Sequence, residues 1–346
     1  MKMSPTHLAQ SLLLALLTTS LASGPAVASA AGAAAASGQD PAPQATTQST
    51  DAAVSTTDDM PDVAQVGRVD RTLRAQILLE RAHFSPGVID GATGGNTRRA
   101  LRAYQSAHGL SVTGEADDAT LESLGGVDAV VLTRKRLSAE EVAGPFNATP
   151  DGPEAMSKVD ALPYASVEEK LAEQFHVTPQ WLRERNPGIT FEAGATLTVP
   201  SLDGASELPT PARIVVDESD KSLLLQDEAG RVIAHFPVTT GSAQFPLPIG
   251  EWKVTSVATN PVWYFDPDLI AGTSADAKKA EVPPGPNNPV GVVWIDLSKE
   301  HYGIHGTPDP SRIGKTASNG CVRMTNWSAM AVSKVVSAGT PVTMRE

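Results

Sequence analysis

Cysteine is almost missing from this chain. One thiol, Cys321, stands among 346 residues, so no disulfide can form within the chain and a cysteine-rich zinc site is excluded. Basic residues are scarce as well: 27 Lys and Arg face 39 Asp and Glu, a formal net charge of -12. Nucleic acid is therefore not an expected partner, because phosphate binding needs basic surface. Past the N-terminal region no apolar run approaches the ~20 residues needed to cross a bilayer as a helix. No Gly-rich phosphate loop stands out, and neither a metal nor a nucleotide cofactor is expected.

The N-terminus reads as a secretory signal over residues 1–28. Lys2 supplies the positive start, Ser11 to Leu21 the apolar stretch, and Ala26-Val27-Ala28 a small-x-small cleavage site. The expected location is outside the cytoplasm, in the periplasm or cell envelope, with no transmembrane segment after signal removal. Residues 29–62 are Ala, Ser, Thr, Gln, Pro and Asp, too poor in large apolar side chains to bury a core, and read as a disordered linker. Export sharpens the meaning of a lone cysteine. An unpaired exported thiol is a liability unless it acts; the alternatives are an inert buried thiol, an intermolecular disulfide or a lipid anchor, the last disfavoured by its distance from the signal.

Residues 63–126 carry a three-helix pattern. Val69, Leu73 and Ile77 form one stripe, Thr97, Leu101 and Tyr104 a second, and Asp117 to Leu124 a short third helix closed by Gly125-Gly126. Pro86-Gly87-Val88-Ile89-Asp90-Gly91 with Tyr104-Gln105 and Val112-Thr113-Gly114 resembles the peptidoglycan-binding type 1 repeat. That resemblance implies a separable wall-attachment domain whose loss spares activity on soluble substrates. Residues 127–160 read as a linker with one strand near Ala129 to Thr133. In 161–203, Ser166 and Glu169 predict a capping box, Thr178-Pro179 a second helix start, and Ala195 to Pro200 a strand. Leu171, Phe175, Leu182 and Asn186-Pro187-Gly188 resemble a LysM module, without its usual opening strand and turn.

Residues 211–346 alternate β-rich runs with turns and end in one helix after Thr325-Asn326, the pattern of a curved β-sandwich. Within it, Gly-Ile-His-Gly-Thr at 303–307 precedes Ser-Asn-Gly-Cys-Val-Arg-Met at 318–324. A cysteine attacks as thiolate, and free cysteine with pKa near ~8.5 is a few per cent ionised at neutral pH. His305 can take its proton and Arg323 can stabilise the charge, which predicts a thiol pKa below that of a free cysteine. Gly306 and Gly320 admit a close backbone approach, and N–H groups around Cys321 could form an oxyanion hole.

This pair of strings resembles the active-site signature of the L,D-transpeptidases, the YkuD-type catalytic domains that remodel bacterial peptidoglycan. The resemblance implies Cys321 as nucleophile and His305 as acid and base, the imidazole oriented by a backbone carbonyl near Gly306 or Thr307. Gly320, Asn319, Gly306 and Ser318 would shape or orient the site, and Arg323 and Thr307 would contact substrate. Asn319 departs from the family, which usually has a second histidine there. The fold class expected is thus multidomain: a mainly β catalytic sandwich with one late helix, preceded by the three-helix domain and a small α+β LysM-like module.

Peptidoglycan is the expected partner. The acyl acceptor stays open between a stem-peptide amine, an outer-membrane lipoprotein lysine and water. Pro283 to Gly291 looks like a segment of the branch that tethers lipoprotein. A wall-binding scaffold with an inactive catalytic domain is the rival from another class.

Overall fold

Three short helices come first, two of them opened by an aspartate cap. The computed structural model describes residues 69–270, 272–274 and 276–346, so the expected signal, the linker and the first residues of the helical domain lie outside the described residues. Helix α1 (Arg71–Arg81) starts at Asp70, whose carboxylate accepts from Leu73 N at 2.7 Å. Helix α2 (Gly95–Ala107) and helix α3 (Asp118–Ser123), the latter capped by Asp117, complete the set. Leu79, Phe84, Leu101, Tyr104 and Leu121 are buried together, so Tyr104 is a core residue as its helical spacing predicts.

The next segment differs from the expected linker. Strand β1 (Leu132–Arg136) pairs antiparallel with β2 (Thr196–Pro200), more than sixty residues away in sequence. Between them lie α4 (Pro153–Met156), α5 (Val167–Gln174) and α6 (Pro179–Arg185). Val131, Leu132 and Leu137 share one apolar cluster with Leu171, Phe175, Leu182 and Val199. The small α+β module therefore draws its opening strand from residues read as linker. The helix starts match: Ser166 accepts from Glu169 N at 3.1 Å, and Thr178 accepts from Trp181 N at 3.0 Å ahead of Pro179.

The rest is a mainly β domain with one late helix. Eight strands form one sheet in the order β11-β10-β9-β6-β12-β3-β4-β5. They are β3 (Arg213–Asp217), β4 (Ser222–Gln226), β5 (Val232–Pro237), β6 (Gly250–Thr259), β9 (Val293–Leu297), β10 (Gly303–His305), β11 (Val322–Arg323) and β12 (Pro341–Arg345). The ten-residue β6 belongs to both halves: residues 250–253 pair with β12, and from Val254 onward the strand pairs with β9. A register shift between Val254 and Ser256 marks the switch, and such bulges bend a strand. The sheet curls, so that Ile214, Leu223 and Phe236 of one half meet Val293, Ile304 and Val322 of the other in one core. Helix α7 (Asn326–Ser333), capped by Thr325, adds Ala329 and Val332 to that core.

Two contacts bind the earlier pieces to this sheet. Residues His83 to Ser85 lie along edge strand β5: Ser85 N donates to His235 O at 2.8 Å and His235 N to His83 O at 2.9 Å. The helical domain thus covers an edge that would otherwise offer unpaired backbone groups. On the other side, Leu162 N donates to Pro284 O (3.0 Å) and Asn287 Nδ2 to Pro163 O (2.9 Å). Asn287 is buried at this contact, Asn288 is buried with its amide bonded to the Val282 and Pro283 carbonyls, and Pro289 and Val290 line a cleft of the β domain.

Candidate active site

Parallel pairing of the two-residue β11 with β10 brings the two motif strings together. Ile304 is opposite Val322 and His305 opposite Arg323. Cys321 precedes β11 and opens, with His305, Asn319 and Arg323, onto one cleft of about 670 Å³. A hairpin of β7 (Trp263–Phe265) and β8 (Ala280–Val282) flanks this cleft. Trp263 and Tyr264 line it while Phe265 is buried, so the aromatic triplet divides between cleft and core.

His305 is 3 % exposed and stacks on Trp294 at 5.3 Å between ring centroids. Its Nδ1 lies 2.7 Å from the Gly306 carbonyl oxygen. A carbonyl can only accept, so Nδ1 carries the proton and Nε2 is left basic. This is the tautomer that an acceptor of a thiol proton requires. Burial, and then the Arg323 charge, hold the imidazole far below its ordinary range, at about 3.

Cys321 is half-buried, with its Sγ 3.8 Å from the His301 carbonyl oxygen. Burial pushes the thiol up, while the Gly303 N–H aimed at it and Arg323 pull the other way. The expected thiol pKa below a free cysteine is therefore corrected. Both shifts disfavour charge, so thiol and imidazole rest as a neutral pair.

The remaining expected residues fall into different places. Ser318 Oγ donates to Cys321 O at 2.6 Å and accepts from Gly320 N at 3.2 Å, closing the loop under the cysteine rather than touching the imidazole. Gly320 has φ +105°, and a Cβ there would stand 2.7 Å from Tyr302 Cε1. Its N–H is committed to Ser318 and that of Gly306 to Val293 O (3.2 Å), so the contribution of both glycines is conformational. Asn319 lines the cleft. Thr307 lines instead a second cavity of about 430 Å³, which shares Pro289 and Arg323 with the first.

Arg323 has no carboxylate within ion-pair distance among the described residues, and its buried Nε has no hydrogen-bond partner. Its backbone is held on both sides by Thr239, at 2.9 and 3.0 Å. A fixed, unpaired guanidinium between two cavities can hold a carboxylate. Sequence reasoning missed Gly303, Trp294 and Asn326. Gly303 opens the first motif string and Asn326 stands two residues past the second, so position was their one available signal.

Comparison with known proteins follows the same outline. Residues 211–344 match the family model described as YkuD, L,D-transpeptidase catalytic domain, and residues 68–124 the model described as putative peptidoglycan binding domain. A Bacillus licheniformis protein named putative L,D-transpeptidase YkuD is 31% identical over 179 residues, covering 51% of this chain and 92% of its own. A Bacillus subtilis protein of the same name is 28% identical over 176 residues, 50% of this chain and 90% of its own. A solved L,D-transpeptidase from Mycobacterium smegmatis aligns with a TM-score of 0.31 at 19% identity, over 46% of this chain and 76% of its own.

Proposed function

This chain belongs to the L,D-transpeptidase family, and from that premise we propose that it is an exported enzyme that transfers peptidoglycan stem peptides through a thioester on Cys321. Transpeptidase activity on peptidoglycan and a place in the cell envelope follow from the family and the wall-binding domain. Among the described residues no helix is long and apolar enough to cross a membrane. The observation that carries the cysteine mechanism is the His305 Nδ1 contact with the Gly306 carbonyl, beside a thiol in the same cleft.

The donor is a stem whose third residue, a diamino acid, is followed by a terminal D-Ala. As Cys321 sulfur bonds to the carbonyl carbon of the third residue, its proton passes to His305 Nε2. The bond to the D-Ala nitrogen then breaks, and His305 returns that proton to the leaving amine. An acceptor amine attacks the thioester, loses its proton to His305, and the C–S bond breaks with the proton going back to sulfur. Each half-reaction balances, giving a ping-pong scheme. Arg323 holds a substrate carboxylate at the junction of the two cavities, with the donor in the larger and the acceptor approaching from the side of Thr307.

The acceptor in this reading is the side-chain amine of a second stem, which makes a 3→3 cross-link. The Pro283–Gly291 segment runs from the small module, where Asn287 is held, to the cleft, which Pro289 and Val290 line, and this placement favours no one acceptor over another. Purified protein incubated with tetrapeptide-rich walls should yield 3→3 dimers by muropeptide mass spectrometry. A lipoprotein-linked product would replace this acceptor, tripeptides alone would make the enzyme an L,D-carboxypeptidase, and an unchanged wall would leave the scaffold reading.

A further inference from the structure

One carboxyl group from outside the catalytic domain reaches the back of the site. Glu173 lies on α5 of the small module, and both of its oxygens are engaged. Tyr164 donates its hydroxyl to Oε1 at 2.8 Å, and Asn326 donates Nδ2 to Oε2 at 3.0 Å. Asn326 is the first residue of α7 and 1 % exposed. Its second amide proton goes to Pro286 O at 3.2 Å. On its other edge Oδ1 accepts from Thr307 N at 3.1 Å and Val292 N at 3.3 Å.

The Thr307 N–H and the Gly306 carbonyl belong to one peptide plane. Asn326 pins that plane by its N–H, and its carbonyl accepts His305 Nδ1–H on the opposite side. The fit around the amide is tight, since a Cβ on Gly291 or on Gly306 would collide with Asn326 Oδ1. A side-chain amide has two orientations that differ by exchange of O and NH₂. The reversed one would face NH₂ toward the Thr307 and Val292 donors and oxygen toward the carboxyl of Glu173.

We propose that Glu173 is a positioning residue for the transfer reaction: the small module holds Asn326 in one orientation, so that the Gly306–Thr307 peptide keeps His305 in the tautomer that can accept the thiol proton. The inference rests on the proposed role of His305. It makes the small module part of the catalytic apparatus, whether or not that module touches glycan. Removing an outer partner that orients a ligand or base costs roughly ten- to a hundredfold where such effects have been measured, at metal-bound histidines. A loss at the lower end is expected here, because Pro286 still accepts from Asn326.

The test uses the full chain as wild type, Glu173→Leu and Glu173→Gln. Glutamine keeps an acceptor for Asn326 and a polar group for Tyr164; leucine keeps neither. The readouts are single-turnover acylation by a carbapenem, split into maximal rate and half-saturation, and the ¹⁵N shifts of His305. Glu173→Leu should lower the maximal rate roughly tenfold with half-saturation unchanged. It should also move the Nδ1 signal of His305 away from the protonated position, and Glu173→Gln should restore most of both. Asn326→Asp keeps acceptors for Thr307 and Val292 but sets carboxylate against carboxylate; it should give the same losses and stands in if the leucine variant does not fold. A folded Glu173→Leu protein with wild-type rate and His305 shifts overturns the proposal. So does an equal loss in Leu and Gln variants with His305 unmoved, which marks a merely structural role. If wild type itself takes no acyl group, the cysteine mechanism has failed, and the ¹⁵N comparison alone decides whether Glu173 orients His305.

Discussion

His305 and Arg323 are register partners across the parallel strands β10 and β11, and both side chains open onto the same cleft. The guanidinium lowers the imidazole pKa and also lowers that of the Cys321 thiol, against the upward push of burial. One cation thus weakens the base and strengthens the acid of the same pair.

Replacing Arg323 by Met should separate these effects. Losing the charge raises the His305 pKa from about 3 and raises the Cys321 pKa further. The pH–rate curve for Cys321 alkylation should then shift to higher pH, while an NMR titration of His305 shifts up as well. KM for a donor stem should rise if Arg323 holds its carboxylate. An Arg323→Met protein with an unchanged KM would remove the carboxylate role.

The neutral resting pair makes a second prediction. In wild type the apparent thiol pKa from alkylation should lie above the ~8.5 of a free cysteine, with no thiolate plateau near neutral pH. Cys321→Ala should abolish transfer and acylation and leave melting nearly unchanged, because the sulfur is half-buried and its contacts with the His301 carbonyl and the Gly303 N–H are weak. His305→Gln should slow acylation by about 10²–10⁴-fold, the usual contribution of a positioned base. A His305→Gln enzyme at wild-type rate would show that the thiol finds its base elsewhere.

Gly320 offers a test of local geometry. Its φ of +105° and the nearby Tyr302 ring leave no room for a methyl group. Gly320→Ala should cost about 1–3 kcal/mol of backbone strain. The loop carries Cys321, so acylation should fall by more than any drop in melting temperature accounts for. Pairing the change with Tyr302→Ala should relieve the side-chain clash but not the φ strain, and should recover activity in part.

How much of this was legible in sequence depends on the range of the interactions. Helix starts at Ser166, Thr178 and Thr325 rest on contacts three residues long, and each cap hydrogen bond is present. That His305 and Cys321 open onto one cleft was readable because the motif strings carry a family resemblance. Strand β1 falls in a stretch that reads as linker because its partner, β2, lies across three helices, and no local pattern encodes that pairing. Burial misled the thiol expectation: charge neighbours are visible in sequence, but the desolvation that outweighs them is a property of the folded site. Glu173 and Asn326 are 153 residues apart, and nothing in either stretch announces the other.

Two buried histidines predict the acid limb of stability. His305 is held at about 3 and His235 at about 4, in both cases chiefly by burial. Their folded pKa values lie below the unfolded reference of ~6.5, so the unfolded chain binds protons that the folded chain excludes. The stability they confer is complete above ~6.5 and is lost as pH falls through about 4 and then about 3, each group contributing a slope of up to about 1.4 kcal/mol per pH unit. Among the described residues neither ring nitrogen of His235 has a hydrogen-bond partner, so His235→Leu should flatten the slope between pH 6 and 4 (approximately the interval set by those values). Urea midpoints across that interval would check it, and an equally steep profile in His235→Leu would assign the acid limb to other groups.

The same strand argues against a freely separable wall-binding domain. His83 accepts from the N–H of His235 and Ser85 donates to its carbonyl, and Phe84 bridges to β5 between them. Asn96 Nδ2 also donates to Ile313 O at 2.9 Å, in the stretch between the two motif strings. Removing residues 63–126 would therefore uncover the edge of the sheet and release one support of the loop that leads to Cys321. Exposed edges pair with one another. The truncated protein should associate in light scattering, melt earlier and lose activity on soluble stems as well as wall binding. Asn96→Ala in the full chain isolates the loop contact: wall sedimentation should be unchanged while acylation falls by a few fold, about the worth of one hydrogen bond. A truncated chain that stays monomeric and acylates at the full-length rate would restore the picture of two independent domains.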